Sequence, residues 1–367
     1  MTDPQAIVIG AGPAGAAAAI GLVRAGAKTL LLERARETGD ALCGGFLSWR
    51  SLARLEKLGI DRAALGGQDV TRVRLFAGRR SSETALPARA MGVSRRRLDS
   101  ALQATAEKAG AALERGVHTT AIEGGSVQTR DGAVLSAPAL FLAAGKHGFR
   151  GFPREPAPWQ RADPVMGLRL RLPGHATLDR LVGDAVELHL FDRGYAGLVR
   201  QEDGSANLCL AVHKSRLDEA GGEPAALLHA LADAHPQLGE RLAFADWSRG
   251  VDAIGHVPYG WHAADSVPGL FRLGDQAGVI PSLAGEGMGL AFASADAAVA
   301  AWRHGGAGAA PAFQGQLAAR MARPFAIANL VWRASENPRT AGGLTLLASC
   351  VPPLVRWAMH ATRIRGD

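Results

Sequence analysis

Apolar positions along the chain follow three rhythms. Unbroken apolar runs of strand length occur at Ala6–Ile9, Leu30–Leu32 and Leu140–Leu142, as expected of strands covered on both faces. Strict alternation occurs at Val70–Phe76, where Val73 and Leu75 face one way and Arg72 and Arg74 the other, predicting a half-buried strand. Helical spacing runs from Ser48 to Leu58, stopping at Gly59, and from Ser94 to about Ala109, with Leu98 and Leu102 as the stripe and Gly110 as the stop. Ala16–Ala25, Pro224–Ala234 and Met288–Trp302 also read as helices. Short strands are predicted at Val117–Ile122, Ser126–Thr129 and Ala133–Leu135.

A stretch rich in Pro and Gly, Phe149–Pro164, marks a crossing between domains. Strands at close spacing follow: Met166–Leu172, Ala185–Leu190, Tyr195–Arg200 and Ala206–Val212, with Asp203-Gly204 as a turn and Ala253–Tyr259 as a return strand. This spacing predicts an antiparallel sheet in a second domain. The last stretch, Pro324–Arg365, is apolar and helical, broken by Pro338 and Pro352-Pro353, and has no run long enough to span a membrane.

The first strand runs directly into Gly10-Ala11-Gly12-Pro13-Ala14-Gly15, then a helix, then a second strand ending on Glu33. Gly10 allows the tight turn, Gly12 lets a pyrophosphate approach the backbone, and Gly15 lets helix and strand pack closely. The helix N-terminus offers N–H groups and positive potential to phosphates. A carboxylate at Glu33, about 20 residues on, accepts hydrogen bonds from ribose hydroxyls. Strand, turn, helix and acid in this order predict a bound dinucleotide, with Glu33 speaking against a 2′-phosphate.

Composition narrows the picture. With 367 residues, 47% hydrophobic and 20% charged, the chain has room for two domains and a large core. The net charge is +7, and Arg far outnumbers Lys. Arg95-Arg96-Arg97 is the one basic cluster, and no nucleic-acid motif accompanies it, so no nucleic-acid partner is expected. Cys43, Cys209 and Cys350 make neither a metal spacing nor a disulfide framework, and no metal is expected. The absence of a basic and apolar leader predicts a cytoplasmic protein. Arg356, Arg363 and Arg365 make the C-terminal segment a candidate for peripheral membrane contact.

A second constellation lies near residue 275. Gly274-Asp275 follows a short apolar run, and Pro281-Ser282-Leu283-Ala284-Gly285-Glu286-Gly287-Met288-Gly289 opens a helix. A helix N-terminus here would stabilise negative charge on an electron-rich ring. With Gly10 to Glu33, with Ser94-Arg95-x-x-Leu98-Asp99, and with Gly269 to Asp275 plus Pro281, Gly285 and Gly287, the chain resembles the FAD-dependent oxidoreductase superfamily of class A flavin monooxygenases, geranylgeranyl reductases and flavin halogenases. The resemblance implies an α/β fold: a Rossmann-like FAD-binding domain of glutathione-reductase/p-hydroxybenzoate-hydroxylase type, an antiparallel β-sheet substrate domain and a C-terminal helical segment. The corresponding division is 1–70, 93–155 and 265–310 for FAD, 71–92 and 156–264 for substrate, and 311–367 for the helical segment. It also implies FAD contacts at Gly10, Gly12, Pro13, Ala14, Gly15, Glu33, Arg34, Cys43, Gly44, Arg95, Gly145, Gly274, Asp275, Pro281, Gly285, Gly287 and Met288. Lys146-His147-Gly148 replaces the polar run that usually follows Gly145.

Among the branches, the Trp-x-Trp-x-Ile-Pro motif of halogenases is absent, and Gly194–Arg200 keeps only part of the aromatic motif of the reductases. No second glycine fingerprint offers a separate nicotinamide domain, so NAD(P)H as a transient reductant fits, as does an external reductase. The leading expectation is an NAD(P)H-dependent monooxygenase that hydroxylates an aromatic or polyketide-like substrate through a flavin C4a-hydroperoxide, its partners being O₂ and an aromatic or lipid-like small molecule. The alternatives are a C=C reductase of geranylgeranyl-reductase type and an electron-carrying flavoprotein. Candidate catalytic positions are Tyr195, His256 and Pro281. A redox role for Cys43 requires a lowered thiol pKa.

Overall fold

The computed structural model describes residues 3–146 and 148–364; the readings at His147 and Arg365 lie outside them. A five-stranded parallel sheet has the order Leu270–Arg272, Ala139–Leu142, Ala6–Ile9, Thr29–Glu33, Ala112–Arg115. The first strand, wholly buried, is at its centre. Alternate residues of the apolar runs serve two cores. Ala6, Val8, Leu31, Phe141 and Phe271 pack under helices Pro13–Arg24, Arg95–Ala109 and Gly287–Gly305. Ile7, Ile9, Leu32, Leu140 and Leu142 pack under a three-stranded antiparallel sheet, Thr119–Glu123, Ser126–Thr129 and Val134–Ser136. Covering on both faces is why these strands read as unbroken runs. The edge strand Ala112–Arg115 has no such run, being largely exposed, and its sequence does not announce it.

The second sheet has eight strands: Asp252–Ile254, Val165–Leu172, Ala206–His213, Gly194–Arg200, Ala185–Phe191, Gln68–Ala77, Arg80–Gly92 and Phe46–Leu47. It is mixed rather than antiparallel, because Ala185–Phe191 runs parallel to Gln68–Ala77. No short turn joins those two strands, so nothing forces them antiparallel. Arg80–Gly92 escapes a pattern reading because most of its side chains are exposed or polar. One face of the sheet is closed by helices Ala176–Val182, Pro224–Ala234 and Pro236–Leu242 through a leucine-rich core. Within it, Glu187 is fully buried between His189 and Arg241. Burial alone would raise its pKa, but the hydrogen bonds and charge of these partners hold it at about 2.

The return strand is shorter than expected. It ends at Ile254, and His256, at φ 55°, turns the chain away from the sheet. The C-terminal helices are Ala310–Ser335, with Pro324 in its interior, then Pro338–Cys350 and Pro352–Ala361. The first begins well before Pro324. Its Trp332 is fully buried against Tyr259, ring centroids 5.3 Å apart.

Candidate active site

Two cavities meet at the junction of the sheets. The larger, about 610 Å³, runs from Gly10, Gly12, Glu33 and Arg34 past Arg95 and Asp99 to Gly145, Lys146 and Asp275. The smaller, about 220 Å³, is lined by Cys43, Gly44, Phe46, Tyr195, Tyr259, Ser282, Gly285, Gly287 and Met288 among mostly apolar side chains. Leu42, Lys146, Ile254 and Asp275 line both.

The glycine turn is built as its sequence demands. Gly10 sits at φ 96°, and a Cβ there would lie 2.5 Å from the Ala143 carbonyl. Helix Pro13–Arg24 has Gly12 as its N-cap and no side chain capping it, so its N-terminal N–H groups are left without a side-chain acceptor at the end where Gly12 lines the larger cavity. Glu33 is held by the backbone: Ala11 N–H donates to Oε2 and Ala35 N–H to Oε1, both at 2.9 Å. A carboxylate so fixed still has lone pairs for ribose hydroxyls. Pro13 and Ala14 are buried in the helix's first turn and do not line the cavity. Ala14 instead supports Gly274, where a Cβ would lie 3.1 Å from it.

Arg95 forms a two-bond pair with Asp99, Nε to Oδ1 at 2.9 Å and Nη2 to Oδ2 at 2.7 Å, leaving Nη1 outside the pair. Burial opposes both charges. For Arg95 the neighbouring carboxylate outweighs burial and raises the pKa; for Asp99 burial wins and raises it too. Asp40 was not singled out by its sequence, yet it organises the loop after Glu33. It accepts from the N–H groups of Arg95 and Arg96 and from Arg171 Nη2 at 2.8 Å, tying the helix start to the second sheet.

Lys146 is the other residue the motifs did not identify. Its ammonium lies 3.7 Å from Asp275 Oδ2. Burial opposes the charge, but Asp275 outweighs it and raises the lysine pKa. A cation therefore stands where the two cavities join. The Gly145 carbonyl accepts from Gln276 Nε2 at 2.8 Å, which keeps this turn against the Asp275 loop.

The chain has two tyrosines, and both reach the same serine. Tyr195 Oη and Tyr259 Oη each hydrogen-bond Ser282 Oγ, the latter at 2.5 Å. Burial pushes both phenol pKa values up, so both stay protonated. Pro281 is buried at the start of this turn, with Ile280 and Ser282, not the proline itself, lining the cavity. His256 does not join the site: it is exposed and borders a separate cleft with Pro156 and Arg161, because its positive φ carries it off the sheet. Cys43 contributes its carbonyl, which accepts from Asn207 Nδ2 at 2.9 Å and Cys209 Sγ at 3.0 Å. Burial pushes the Cys209 thiol up to about 12. Helix Gly287–Gly305 starts at the smaller cavity, again without a side-chain cap.

These features fit FAD. Two helix N-termini without side-chain caps lie along the connected cavities, the first in a turn where a Cβ at Gly10 or Gly15 would clash with backbone. The ADP half fits the Gly10–Gly15 turn and Glu33, the ribityl chain Asp275, and the ring the junction beside Lys146 and Gly285–Met288. A positive charge beside the ring favours its reduced form. Lys146→Met should therefore lower the flavin midpoint potential by about 30 mV, the equivalent of about 1.4 kcal/mol for a two-electron couple. Spectroelectrochemical titration of both proteins measures this, and an unchanged potential would place Lys146 away from the ring.

Comparison with known proteins agrees. Residues 3–134 match the family described as FAD binding domain. A menaquinone reductase from Mycolicibacterium smegmatis is 29% identical over 166 residues, 41% of this chain and 39% of that protein. The match thus spans less than half of the relative. A geranylgeranyl bacteriochlorophyll reductase-like protein from Thermoplasma acidophilum superposes with a TM-score of 0.75 at 21% identity, covering 95% of this chain and 92% of the other. PqsL from P. aeruginosa, in complex with 2-aminobenzoylacetate, gives 0.73 at 16% identity over 93% and 99%. The flavin-dependent brominase Bmp2 gives 0.76 at 14% identity over 99% and 95%. Residues 3–134 thus match the FAD binding domain family, and the chain takes the fold seen in the solved structures of the geranylgeranyl bacteriochlorophyll reductase-like protein, PqsL and Bmp2.

Proposed function

We propose that the protein is an NAD(P)H-dependent monooxygenase that hydroxylates an apolar aromatic or polyketide-like substrate bearing a phenolic oxygen. The observation that carries this reading is the Tyr195–Ser282–Tyr259 hydroxyl cluster in an otherwise apolar cavity beside the flavin loop. In each pair either hydroxyl can donate; in the arrangement where both phenols donate to Ser282 Oγ, the serine's own proton is left as a donor into the cavity. A phenol oxygen docked there is fixed in orientation, and its ring is aimed at the junction. The chemistry that bound FAD supplies is two-electron reduction by NAD(P)H and activation of O₂, with one oxygen atom entering the substrate and the other leaving as water. The chain's own groups position the ring, exclude water through Val186, Leu188 and Leu210, and balance negative charge with Lys146 and the Gly287–Gly305 helix N-terminus.

The test is oxygen. With NAD(P)H and a panel of alkylated phenols, the protein should consume O₂ in step with hydroxylated product. Turnover that persists without O₂ and saturates a C=C bond would instead establish a reductase, the reading that the resemblance to menaquinone reductase favours. If NAD(P)H fails but an added reductase protein supports turnover, the donor is external. An electron carrier without substrate is disfavoured by the largely apolar cavity beside the flavin loop. Ser282→Ala and Tyr195→Phe should each lower kcat about 100-fold while leaving FAD content and the rate of flavin reduction unchanged. Equal turnover in both variants would remove the hydroxyl cluster from the reaction.

A further inference from the structure

Large apolar side chains are exposed at eight places among the described residues, and six of them belong to the C-terminal helical region. Val134 and Val267 are isolated; Leu330, Leu346, Leu347, Val351, Leu354 and Trp357 belong to the C-terminal helices. Five of the six lie in the short segment 346–357, spaced largely at three to four residues across the turn between helices Pro338–Cys350 and Pro352–Ala361. Trp357 is 52% exposed and Leu346 53%. Monomeric proteins rarely present such a concentration without a partner.

The charges along this part of the sequence are nearly all of one sign. Between Asp296 and the last residue, Asp367, the only acidic side chain is Glu336. Over the same stretch arginines recur, and Arg333, Arg339 and Arg356 are exposed beside the apolar residues. Glu336 is turned inward onto His213 at 3.3 Å and does not offset them at the surface. Arg363 is excluded from this set. It is buried, with Nη1 2.6 Å from Glu286 Oε2, so it does not meet lipid headgroups.

The inner side of the last helix bears on the active site. Met359 and Arg363 line the smaller cavity, so the element that exposes Leu354 and Trp357 outward also closes that cavity from within. No helix among the described residues is long and apolar enough to cross a membrane. Short helices with exposed Leu and Trp, flanked by Arg and without acids, suit the interface of an anionic bilayer.

We propose that the segment 346–357 docks the enzyme on an anionic lipid surface, with Leu346, Leu347, Val351, Leu354 and Trp357 entering the headgroup layer and Arg339 and Arg356 meeting lipid phosphates. The docking stands whatever reaction the cavity hosts. Delivery of an apolar substrate from the bilayer past Met359 is its consequence for the proposed function and rests on that reading.

The experiment is co-sedimentation of the FAD-loaded protein with vesicles of phosphatidylglycerol and phosphatidylcholine, against phosphatidylcholine alone. The protein should sediment with the anionic vesicles, less so as salt is raised, and remain free with the neutral ones. Arg339→Ala and Arg356→Ala should each weaken binding about fivefold, and Leu354→Asp/Trp357→Asp by about tenfold or more. FAD content and melting temperature of the variants report that folding is intact. Wild-type protein that stays free of anionic vesicles, or an aspartate variant that binds as well as wild type, overturns the proposal. So does a wild-type dimer by sedimentation velocity that the same substitutions convert to monomer, since the patch would then belong to a second copy of the chain. Vesicle binding with no hydroxylation of any phenol would leave the docking in place and count against the monooxygenase reading.

Discussion

Gly15→Ala should give a protein that purifies without yellow colour and melts well below wild type. A Cβ at position 15 would lie 1.8 Å from the Gly10 carbonyl oxygen and 3.2 Å from Ala143 Cβ. Neither neighbour can yield cheaply. Gly10 is pinned by its N–H bond to the Leu32 carbonyl at 2.8 Å, and Ala143 by its own to Ile9 at 2.8 Å. The helix must therefore move off the strand, at a cost of about 3 kcal/mol, at the upper end for overpacking a tight core. Such a shift also withdraws the helix N-terminus from the pyrophosphate. Gly12→Ala is the informative contrast. Its Cβ meets only Arg95 Nη2, at 3.3 Å, a flexible end that can swing away. That variant should keep the wild-type melting temperature of apoprotein and lose FAD affinity by about 10- to 100-fold, the worth of one or two phosphate hydrogen bonds. Flavin absorbance, equilibrium dialysis and calorimetry separate the two effects. A fully flavinated Gly15→Ala protein would refute the close approach of helix and strand.

The contrast shows what a sequence can disclose about such a site. The Gly10–Gly15 turn and Glu33 are legible because their physics is local: strand, turn, helix and acid follow within one βαβ unit. Gly274-Asp275 is legible for the same reason. Lys146 is not, because its role arises from a partner 129 positions later, across two parallel strands that no periodicity pairs. Ser282 reads as a loop residue until Tyr195 and Tyr259, from separate segments, arrive on its hydroxyl. The strand Arg80–Gly92 and the parallel pairing at Ala185–Phe191 are set by neighbours brought from elsewhere in the chain. His256 shows the converse error. A return strand over Ala253–Tyr259 would hold it on the sheet, whereas the strand ends at Ile254 and His256 sits at φ 55°. Local motifs thus mark the glycine turn and the acid that follows it, whereas the side chains gathered where the two cavities join depend on tertiary pairing.

The C-terminal anchor of the flavin loop carries the second large effect. Arg363 Nη1 donates to Glu286 Oε2 at 2.6 Å and to the Ala284 and Gly285 carbonyls at 3.0 and 3.1 Å, while its guanidinium covers Trp49 at 4.9 Å. Both members of the ion pair are buried. Arg363→Met should cost about 3–5 kcal/mol at neutral pH, because it leaves the Glu286 carboxylate buried without its partner. Even in the wild type burial outweighs Arg363 and raises the Glu286 pKa. Without the arginine the folded-state pKa rises further above the unfolded value, so the folded variant binds more protons than the unfolded one. Its stability is then greatest below the unfolded pKa and falls as pH rises through the folded pKa. The deficit relative to wild type should therefore shrink on acidification, and Arg363→Met/Glu286→Gln should recover most of it at neutral pH. Urea unfolding of the wild type and the two variants across pH measures both effects. Because Gly285 and Glu286 lead into the helix that begins at the smaller cavity, loosening the anchor should also speed FAD release. A pH-independent deficit, unrelieved by Glu286→Gln, would mean that Arg363 acts through packing on Trp49 and not through the buried carboxylate.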